Sequence, residues 1–519
     1  MNSNLIYLDT YVLQKDMRIR LPKNIIENLN LIKGESKLKI YYDKNNASLV
    51  LKPESKNMQM TLNFTNKTKQ NNSLSNKIIK FVDLFAGLGG IRLGFEQAFN
   101  EKGFNTKCVL TSEIKPYAIE ALQENFKQDN LRGDIYKINT NEIENFDFLL
   151  AGFPCQAFST AGKGLGFLDT RGTLFFEVER FLKEKKPYGF ILENVEGLVI
   201  HDKENKNDPI GRTLKTILNS LEKIGYNIEW RLLECQKFGV PQLRKRIFIV
   251  GTLKSKVNLE NFEESNKILR DILETGKPIV NSYFTKCLLK NYKIEELVGK
   301  AIKDKRGGKN NIHSWDIGLK GEITSEQKQL LEKIFKERRK KHWAEEIGIK
   351  WMDGMPLTLT QISTFWKSDK LKEMLDDMVE KGYLVMEYPK DIVELKMEDD
   401  SLKRKVRKQD KSKSMGYNIV SGKLSFEFTK ILDPNNIAPT IVATDVLHTG
   451  VIDGKGIRRL TIREGLRLFG YPENYNLSMF DNTNNGLSKA FDLLGNTVAV
   501  PVVKAVANRL CESYINDEC

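Results

Sequence analysis

Cys155 stands in the stretch Gly152-Phe153-Pro154-Cys155-Gln156-Ala157-Phe158-Ser159, directly after the apolar run Phe146-Asp147-Phe148-Leu149-Leu150-Ala151. That run reads as a buried strand. Pro154 cannot continue its hydrogen-bond ladder, so the thiol is presented beyond the strand end. In open α/β sheets that is where ligands and substrates bind. Free cysteine is also among the most buried residue types, so on its own Cys155 fits a packed thiol as well as a nucleophile. Other reactive residues weigh on the choice. Glu193 closes a second apolar run, Phe190-Ile191-Leu192-Glu193-Asn194-Val195-Glu196, and can share a cleft with Cys155. A carboxyl in such a place has a raised pKa and can hold or give a proton; a capping or salt-bridged glutamate would look the same in isolation. Past a further strand, Gln242-Leu243-Arg244-Lys245-Arg246 sets Arg244 and Arg246 on one side of an extended chain and Lys245 on the other. Two guanidinium groups on one face suit a polar base edge or a phosphate.

A second constellation points to a nucleotide-like ligand. The strand ending at Asp83-Leu84 runs into Phe85-Ala86-Gly87-Leu88-Gly89-Gly90 and then a helix. Glycines there permit a tight turn and close approach of backbone to a ligand. Glu113 ends the next strand, where a carboxylate can accept bonds from ribose hydroxyls. Gly133-Asp134-Ile135 follows, with an acid for an adenine amino group and an apolar residue for its face. Each carboxylate alone reads as a surface charge. Glycine turn, acid and acid at three consecutive strand ends fit a cofactor with an adenosine moiety.

Stepping outward, strands are expected at Ile78–Phe85, Cys108–Ser112, Phe146–Ala151, Gly189–Leu192, Ile228–Leu233 and Ile247–Gly251, with helices between them as at Ile114–Asn125 and Thr173–Lys185. This alternation implies an α/β domain with a mostly parallel sheet covered on both faces. After Gly251 the rhythm stops for about two hundred residues, which read as a separate domain over 253–457. Within it Glu322–Ile347 reads as one long charged helix opened by Thr324 and Gln327 in capping-box spacing. Helices around Leu359–Trp366 and Leu371–Lys381, then Gly382–Pro389 as a wing, suggest a helix-turn-helix or winged-helix element over 322–390. Lys403-Arg404-Lys405-Val406-Arg407-Lys408 reads as a solvated loop or a phosphate contact. Helices at Ile462–Phe469 and Val502–Arg509 return the chain to the first sheet over 458–519. Upstream, 1–53 is a compact unit: a strand over Tyr11–Leu21, a helix over Lys23–Leu31, and a hairpin of Lys37–Tyr42 with Ala47–Leu51. Residues 54–77, rich in Asn, Lys, Ser and Thr, read as a linker.

Composition sets the outer limits. A chain of 519 residues with 40% hydrophobic and 29% charged residues is of ordinary globular type, with room for two to four domains of roughly 100–200 residues. No apolar run approaches the roughly 18 residues that span a bilayer, and Met1–Asp9 lacks the basic start and apolar core of a signal peptide. Six cysteines without a CxxC pair and four scattered histidines argue against a disulfide framework and a metal site, and for a reducing cytoplasm. A net charge of +14 suits a polyanionic partner, because neutralising phosphates releases counterions.

In this order, the blocks Asp83–Gly90, Gly152–Ser159, Glu193–Val195 and Gln242–Arg246 resemble the motifs of DNA (cytosine-5) methyltransferases. Arg458-Arg459-Leu460-Thr461-Ile462-Arg463-Glu464 with Gly470-Tyr471-Pro472, and Gly495-Asn496-Thr497-Val498, resemble that family's closing blocks. Asp169-Thr170-Arg171-Gly172-Thr173-Leu174 resembles its mobile active-site loop and the start of the helix after it. The resemblance covers about 78–252 and 437–511 and implies a Rossmann-like fold of the class I methyltransferases. It implies S-adenosylmethionine as cofactor, held by Phe85, Ala86, Gly87, Leu88, Gly89, Gly90, Glu113, Ile114, Asp134, Ile135, Pro154, Leu174, Asn496, Thr497 and Val498. It makes Cys155 the nucleophile that adds to C6 of cytosine and Glu193 the group that holds or protonates N3. Arg246 takes the base oxygen, Asn194 positions the base or the glutamate, and Arg244 joins them as a catalytic residue. Gln156, Ser159, Arg171 and Thr440 become DNA contacts, and 253–457 the target-recognition domain. The partner implied is double-stranded DNA, with a restriction endonuclease encoded separately. A related tRNA cytosine methyltransferase is the alternative, and the size of 253–457 weighs against it, since reading duplex DNA needs a groove-facing module. The N-terminal unit, through Arg18-Ile19-Arg20-Leu21-Pro22 and Leu31-Ile32-Lys33-Gly34, resembles the swapped-hairpin DNA-binding domains of the AbrB and MazE kind. That implies a homodimer through this unit, and operator binding that sets expression of the chain's own gene. The target sequence is not legible in 253–457.

Overall fold

The computed structural model describes residues 38–43, 48–53, 77–127, 130–154, 174–205, 207–304, 310–396, 403–420, 426–442, 445–481, 483 and 485–518. The chain divides into two compact units, 1–70 and 71–519. In the first, β1 (Leu38–Asp43) and β2 (Ser48–Pro53) form an antiparallel hairpin in the register Leu38↔Pro53 to Asp43↔Ser48. The strand and helix expected at 11–31, and with them the residues carrying the AbrB-like resemblance, lie outside the described residues.

The second unit opens with βα alternation. β3 (Ile78–Leu84), α1 (Gly90–Glu101), β4 (Asn105–Ser112), α2 (Pro116–Asn125), the two-residue β5 (Leu131–Arg132), β6 (Phe148–Ala151) and α3 (Leu174–Lys185) come first. β7 (Gly189–Val195), α4 (Gly197–Ile200), α5 (Arg212–Ile224), β8 (Asn227–Glu234) and β9 (Lys245–Thr252) follow. The sheet order is β5-β4-β3-β6-β7-β9-β8. β5 to β7 are parallel, whereas β9 runs antiparallel between β7 and β8. The reversal has a local cause: only ten residues separate Glu234 from Lys245, too few for a parallel crossover, which takes a dozen or more.

Strand alternation assigns residues to two cores. Ile79 and Phe81 of β3 face α1 and the C-terminal helix, with Phe95, Phe99, Val503, Leu510 and Tyr514. Val82 and Leu84 face α3 and α5, with Phe175, Phe181, Leu214 and Leu221. The sheet is therefore covered on both faces, as parallel sheets require.

After α6 (Tyr283–Asn291) the chain builds a second body. β10 (Ala301–Ile302) and β11 (Asn311–Ile312) begin a small sheet, and a helical segment is inserted before it is completed. That segment holds α7 (Ser325–Glu337), α8 (Lys341–Ile347), α9 (Leu359–Phe365), α10 (Leu371–Glu380) and the strands β12 (Leu384–Glu387), β13 (Lys390–Lys396), β14 (Lys403–Gln409) and β15 (Gly416–Ile419). β16 (Lys430–Ile431), β17 (Thr449–Asp453) and β18 (Gly456–Arg459) then complete the five-stranded order β11-β10-β16-β17-β18. The segment has a core of its own around Trp315, Leu331, Phe335, Trp343, Leu375 and Tyr383. α11 (Ile462–Arg467), α12 (Gly486–Asn496) and α13 (Val500–Glu518) close the chain.

Three expectations change here. The helix read over Glu322–Ile347 is two helices. Thr324 caps α7 as its spacing implied, but Arg338 leaves the helix to accept a bond from Met355 N at 2.9 Å and to donate to Asn418 at 2.6 Å. The basic run 403–408 is a strand, paired over its whole length with β13. The boundary drawn between 457 and 458 falls inside β18, whose Arg458 is buried and bonded to both oxygens of Glu464 at 2.7 and 2.8 Å. The helical stretch Gly486–Glu518 also has the length and apolar content of a membrane-crossing helix, although 67% of its most apolar window is buried in the fold. Part of that burial is a close crossing of α13 over α1, where Gly94 meets Val503. A Cβ at Gly94 would stand 2.6 Å from Val503 Cβ and 2.8 Å from Lys504 N, atoms that cannot swing away. We expect Gly94→Ala to destabilise the second unit by about 1–3 kcal/mol, read as a lowered midpoint in urea unfolding.

Candidate active site

The chemistry-bearing residues converge at the carboxyl ends of β6 and β7. Ala151 of β6 pairs with Leu192 of β7, so Gly152 and Glu193 leave neighbouring strands side by side. The Glu193 carboxylate lies 3.5 Å from where a Cβ on Gly152 would stand, which sets the two strand ends in contact range. On the other flank β9 pairs Arg246 with Val195, and Arg246 Nε donates to Glu193 Oε1 at 2.9 Å. Both side chains are mostly buried, at 17% and 13% exposure. Burial pushes the Glu193 carboxyl above the usual carboxylate range, while Arg246, and then Arg244, pull it back down. A carboxyl held between those two influences is suited to taking and returning a proton.

Asn194 is buried beside it and works on the backbone. Its Nδ2 donates to Phe153 O at 3.1 Å, and its Oδ1 accepts from Val195 N at 2.9 Å. Phe153 packs on Phe175 at 5.9 Å between centroids. The chain is thus pinned immediately before Pro154, and Asn194 positions the segment that leads to Cys155. Cys155 itself, Gln156, Ser159 and Arg171 lie outside the described residues.

Arg244, expected among the catalytic residues, turns inward instead. Its guanidinium donates to Ile441 O at 3.3 Å, Gly495 O at 3.0 Å and Thr497 O at 2.6 Å, and it is 2% exposed. It ties the sheet to two distant segments, and its pull on Glu193 is exerted from behind. Thr440 gives its hydroxyl to Leu243 O while remaining exposed. Gln242, quoted above only as part of its block, is fully buried, donates to Leu468 O at 3.0 Å and accepts from Ile441 N at 3.1 Å. The Arg458–Glu464 pair was missed. Its signal was present in Thr461 and Glu464, which form the capping box of α11.

Across the sheet, the ends of β3, β4 and β5 form a cradle. Phe85 and Gly87 adopt positive φ of 57° and 55°. Gly87 N donates to Glu113 Oε2 at 2.8 Å, and Glu113 Oε1 accepts from the backbone of Ile114 and Lys115 at 2.9 Å each. Glu113 therefore holds the glycine turn, while Ala86 N is bonded to Ser112 O at 3.1 Å. Gly89 and Gly90 are required by packing. A Cβ on Gly89 would meet Phe126 at 2.6 Å, and one on Gly90 the Tyr471 hydroxyl at 2.7 Å and Thr497 Oγ1 at 2.9 Å. Leu88, Thr497 and Val498 are correspondingly buried under the turn, and Asn496 is exposed beside them. Asp134 accepts from Tyr136 N at 3.1 Å, Ile135 is buried, and Pro154 and Leu174 are half-buried. The space above this turn is open: a Cβ on Gly87 or Gly133 would have nothing within 4 Å, and Ile114 is left 70% exposed at the same strand ends. Among the described residues no group of three or more His, Cys, Asp or Glu could hold a metal ion.

Residues 79–512 match the family described as C-5 cytosine-specific DNA methylase. Type II methyltransferase M.NlaIV of Neisseria lactamica is 57% identical over 433 residues, covering 83% of this chain and 98% of that protein. Type II methyltransferase M.NgoBV of Neisseria gonorrhoeae is 56% identical over the same shares of the two chains. Type II methyltransferase M.BanI of Aneurinibacillus aneurinilyticus is 41% identical over 463 residues, covering 85% of this chain and 97% of its own.

The geometry at Glu193 has a thermodynamic signature. An acid whose pKa is raised on folding binds more protons folded than unfolded, so stability falls as pH climbs from the usual carboxylate value through the raised one. Urea midpoints of the wild type are expected to decline relative to those of Glu193→Gln across that window. A constant difference between the two at all pH values would show that Glu193 titrates normally.

Proposed function

Because the chain belongs to the C-5 cytosine-specific DNA methylase family, we propose that it methylates C5 of a cytosine flipped out of a specific duplex DNA sequence, through a transient bond from Cys155 to C6. One observation carries the reading: Glu193, buried and paired with Arg246, stands beside the strand end that leads to Cys155. C5 of cytosine is a poor nucleophile. Addition of the Cys155 thiolate to C6 makes C5 enamine-like, and a proton held by Glu193 at N3 relieves the charge that addition creates. A free thiol has a pKa of about 8.5, so attack must be helped by local positive charge or by proton transfer. Arg246, bonded to Glu193, would take the base oxygen of the same ring. When bound, S-adenosylmethionine would be held by the glycine turn of Phe85–Gly90 and would supply the methyl group. Loss of the C5 proton and departure of the Cys155 sulfur then restore the aromatic ring. Because the target atoms are inaccessible in a stacked duplex, the base must swing out at a cost of a few kcal/mol.

The biological setting we infer is modification within a restriction–modification system, with the endonuclease encoded separately; the Type II designation of the relatives supports it. Residues 78–252 with the C-terminal return that follows β18 would form the catalytic part, and the second body between them the target-recognition part. The family match begins at residue 79, past the compact unit 1–70. We assign that unit an accessory role: it dimerises and binds the operator of the chain's own gene.

In an assay offering duplex DNA and tRNA side by side, transfer to C5 of cytosine in the duplex is expected; transfer to tRNA alone would overturn the assignment. Cys155→Ser should reduce transfer to background while S-adenosylmethionine still binds, and turnover by that variant would refute the nucleophile. Removal of residues 1–70 should leave methylation intact and abolish retention of the gene's promoter fragment. Unchanged retention would disprove the accessory role.

A further inference from the structure

The large sheet ends differently on its two sides. At one edge β5 holds only Leu131 and Arg132. At the other, β8 runs for eight residues, Asn227–Glu234, and pairs with β9 alone. That pairing is unbroken from Asn227↔Thr252 to Glu234↔Lys245, and Cys235 N continues it with a 3.0 Å bond to Arg244 O. Odd-numbered residues therefore turn their peptide groups toward β9. By the alternation of an antiparallel ladder, Ile228, Trp230 and Leu232 turn theirs to the open side, where among the described residues none bonds to them. A cavity of about 710 Å³ adjoins the second half of the strand, lined by Arg231, Leu232, Glu234, Lys245 and Glu260. Edges of this length are commonly guarded by proline or a bulge; β8 has no proline and no break in register. The segment after β9 crosses the face of the odd-numbered residues. There Lys256 pairs with Glu229 at 2.8 Å and Glu260 pairs with Arg231, while Val257 and Leu259 join the core under α13. On the opposite face Ile228, Trp230 and Leu232 carry the core shared with α3 and α5 out to the rim, where they are half-buried.

The strand is complementary to itself. Two copies meeting antiparallel about a two-fold axis must bring even-numbered residues into register, since those carry the free peptide groups. Centred on Trp230, the ladder sets Ile228 opposite Leu232 of the second copy and Glu229 opposite Arg231 of the second copy, each pair occurring twice by symmetry. The Glu229–Arg231 positions are then the non-hydrogen-bonded ones, in which side chains stand closest. Neighbouring registers lack this match. Centred on Glu229 or on Arg231, the strand opposes a like charge to itself, which destabilises a ladder; centred on Leu232, it sets Arg231 against Leu233. Charges bound within each chain extend the pattern: Lys256, Glu229, then Arg231 and Glu260 of the second copy alternate in sign. Arg231 retains a donor, since its buried Nε has no hydrogen-bond partner. β8 runs parallel to β7, because β9 is antiparallel to both. The two-fold axis therefore turns the carboxyl ends of the two sheets in opposite directions, and the catalytic ends do not meet.

We propose that the open edge of β8 takes a second copy of this chain, joining two seven-stranded sheets into one through an antiparallel contact centred on Trp230. The contact is separate from the dimerisation assigned to residues 1–70 and does not depend on the substrate. Its test is sedimentation velocity of the full-length protein over a range of protomer concentration. Arg231→Glu alone sets carboxylates against each other across the contact, and Glu229→Arg alone does the same with guanidinium groups. Each is expected to weaken self-association by more than about tenfold and to bring the largest species to half its mass or less, whether or not residues 1–70 hold a contact of their own. An equimolar mixture of the two variants restores opposite charges at both positions and should recover the wild-type mass. The ion pairs that the variants lose within the chain have largely exposed members and contribute little, so melting midpoints near that of the wild type check that each variant is folded. A wild type with the same mass as both variants at every concentration would overturn the proposal, as would a mixture that fails to recover. Self-association that neither variant weakens would place the contact on another surface and overturn it equally.

Discussion

One guanidinium joins the parts of the second unit on which its chemistry depends. Arg244 leaves the strand that carries Arg246 and donates to carbonyls at positions 441, 495 and 497, which belong to the second body and to the C-terminal return. A buried arginine is tolerable only when its donors are used, so the three segments must arrive together for any of them to be stable there. Gln242, two residues earlier, makes the same junction through Leu468 and Ile441. The junction between the two bodies is therefore made by hydrogen bonds to main-chain atoms. Such bonds fix position without depending on which side chains the second body displays.

Within that frame the Glu193 carboxyl is subject to two opposing effects. Removing Glu193 from water disfavours its charge, and the neighbouring arginines favour it. Either effect alone would lock the group: full burial would keep it neutral, and an exposed arginine pair would keep it ionised. Asn194, on the adjacent position of the same strand, faces the other way and spends its hydrogen bonds on the backbone that precedes Cys155. Consecutive residues of β7 thus pair separately with Arg246 and with the Phe153 carbonyl, which is what the alternation of a strand allows.

Much of this was legible in the chain because it is local. Strand ends, glycine turns and the Gly152–Ser159 block declare themselves within a few residues, and hydrophobic alternation placed the sheet. What the sequence did not disclose comes from partners that the local pattern does not show. Arg244 and Arg246 sit two positions apart and look equivalent, yet one bonds to carbonyls 197 to 253 positions away and the other to Glu193. Glu113 reads as a ligand acid, and its first duty is to hold Gly87. The charged helix over 322–347 breaks at Arg338 because Met355 and Asn418 claim it. The run 403–408 becomes a strand because a complementary partner lies just before it, across a connection that carries no periodicity.

The crossing of α13 over α1 has a kinetic meaning. Lys504 and Glu101, which pair across it at 2.6 Å, are 403 positions apart. The first βα units leave the ribosome early, with Phe81, Phe95 and Phe99 still waiting for the Val503 and Tyr514 that will cover them. Contacts of such sequence separation form late, because the entropy of closing the chain must be met before they give any return. For most of its synthesis the nascent chain therefore displays an aromatic surface with no lid, a surface that chaperones bind and that favours aggregation when they are scarce. Completion of the fold is delayed until the last helix arrives, and a chain truncated before α13 is expected to be a misfolding species rather than a smaller enzyme.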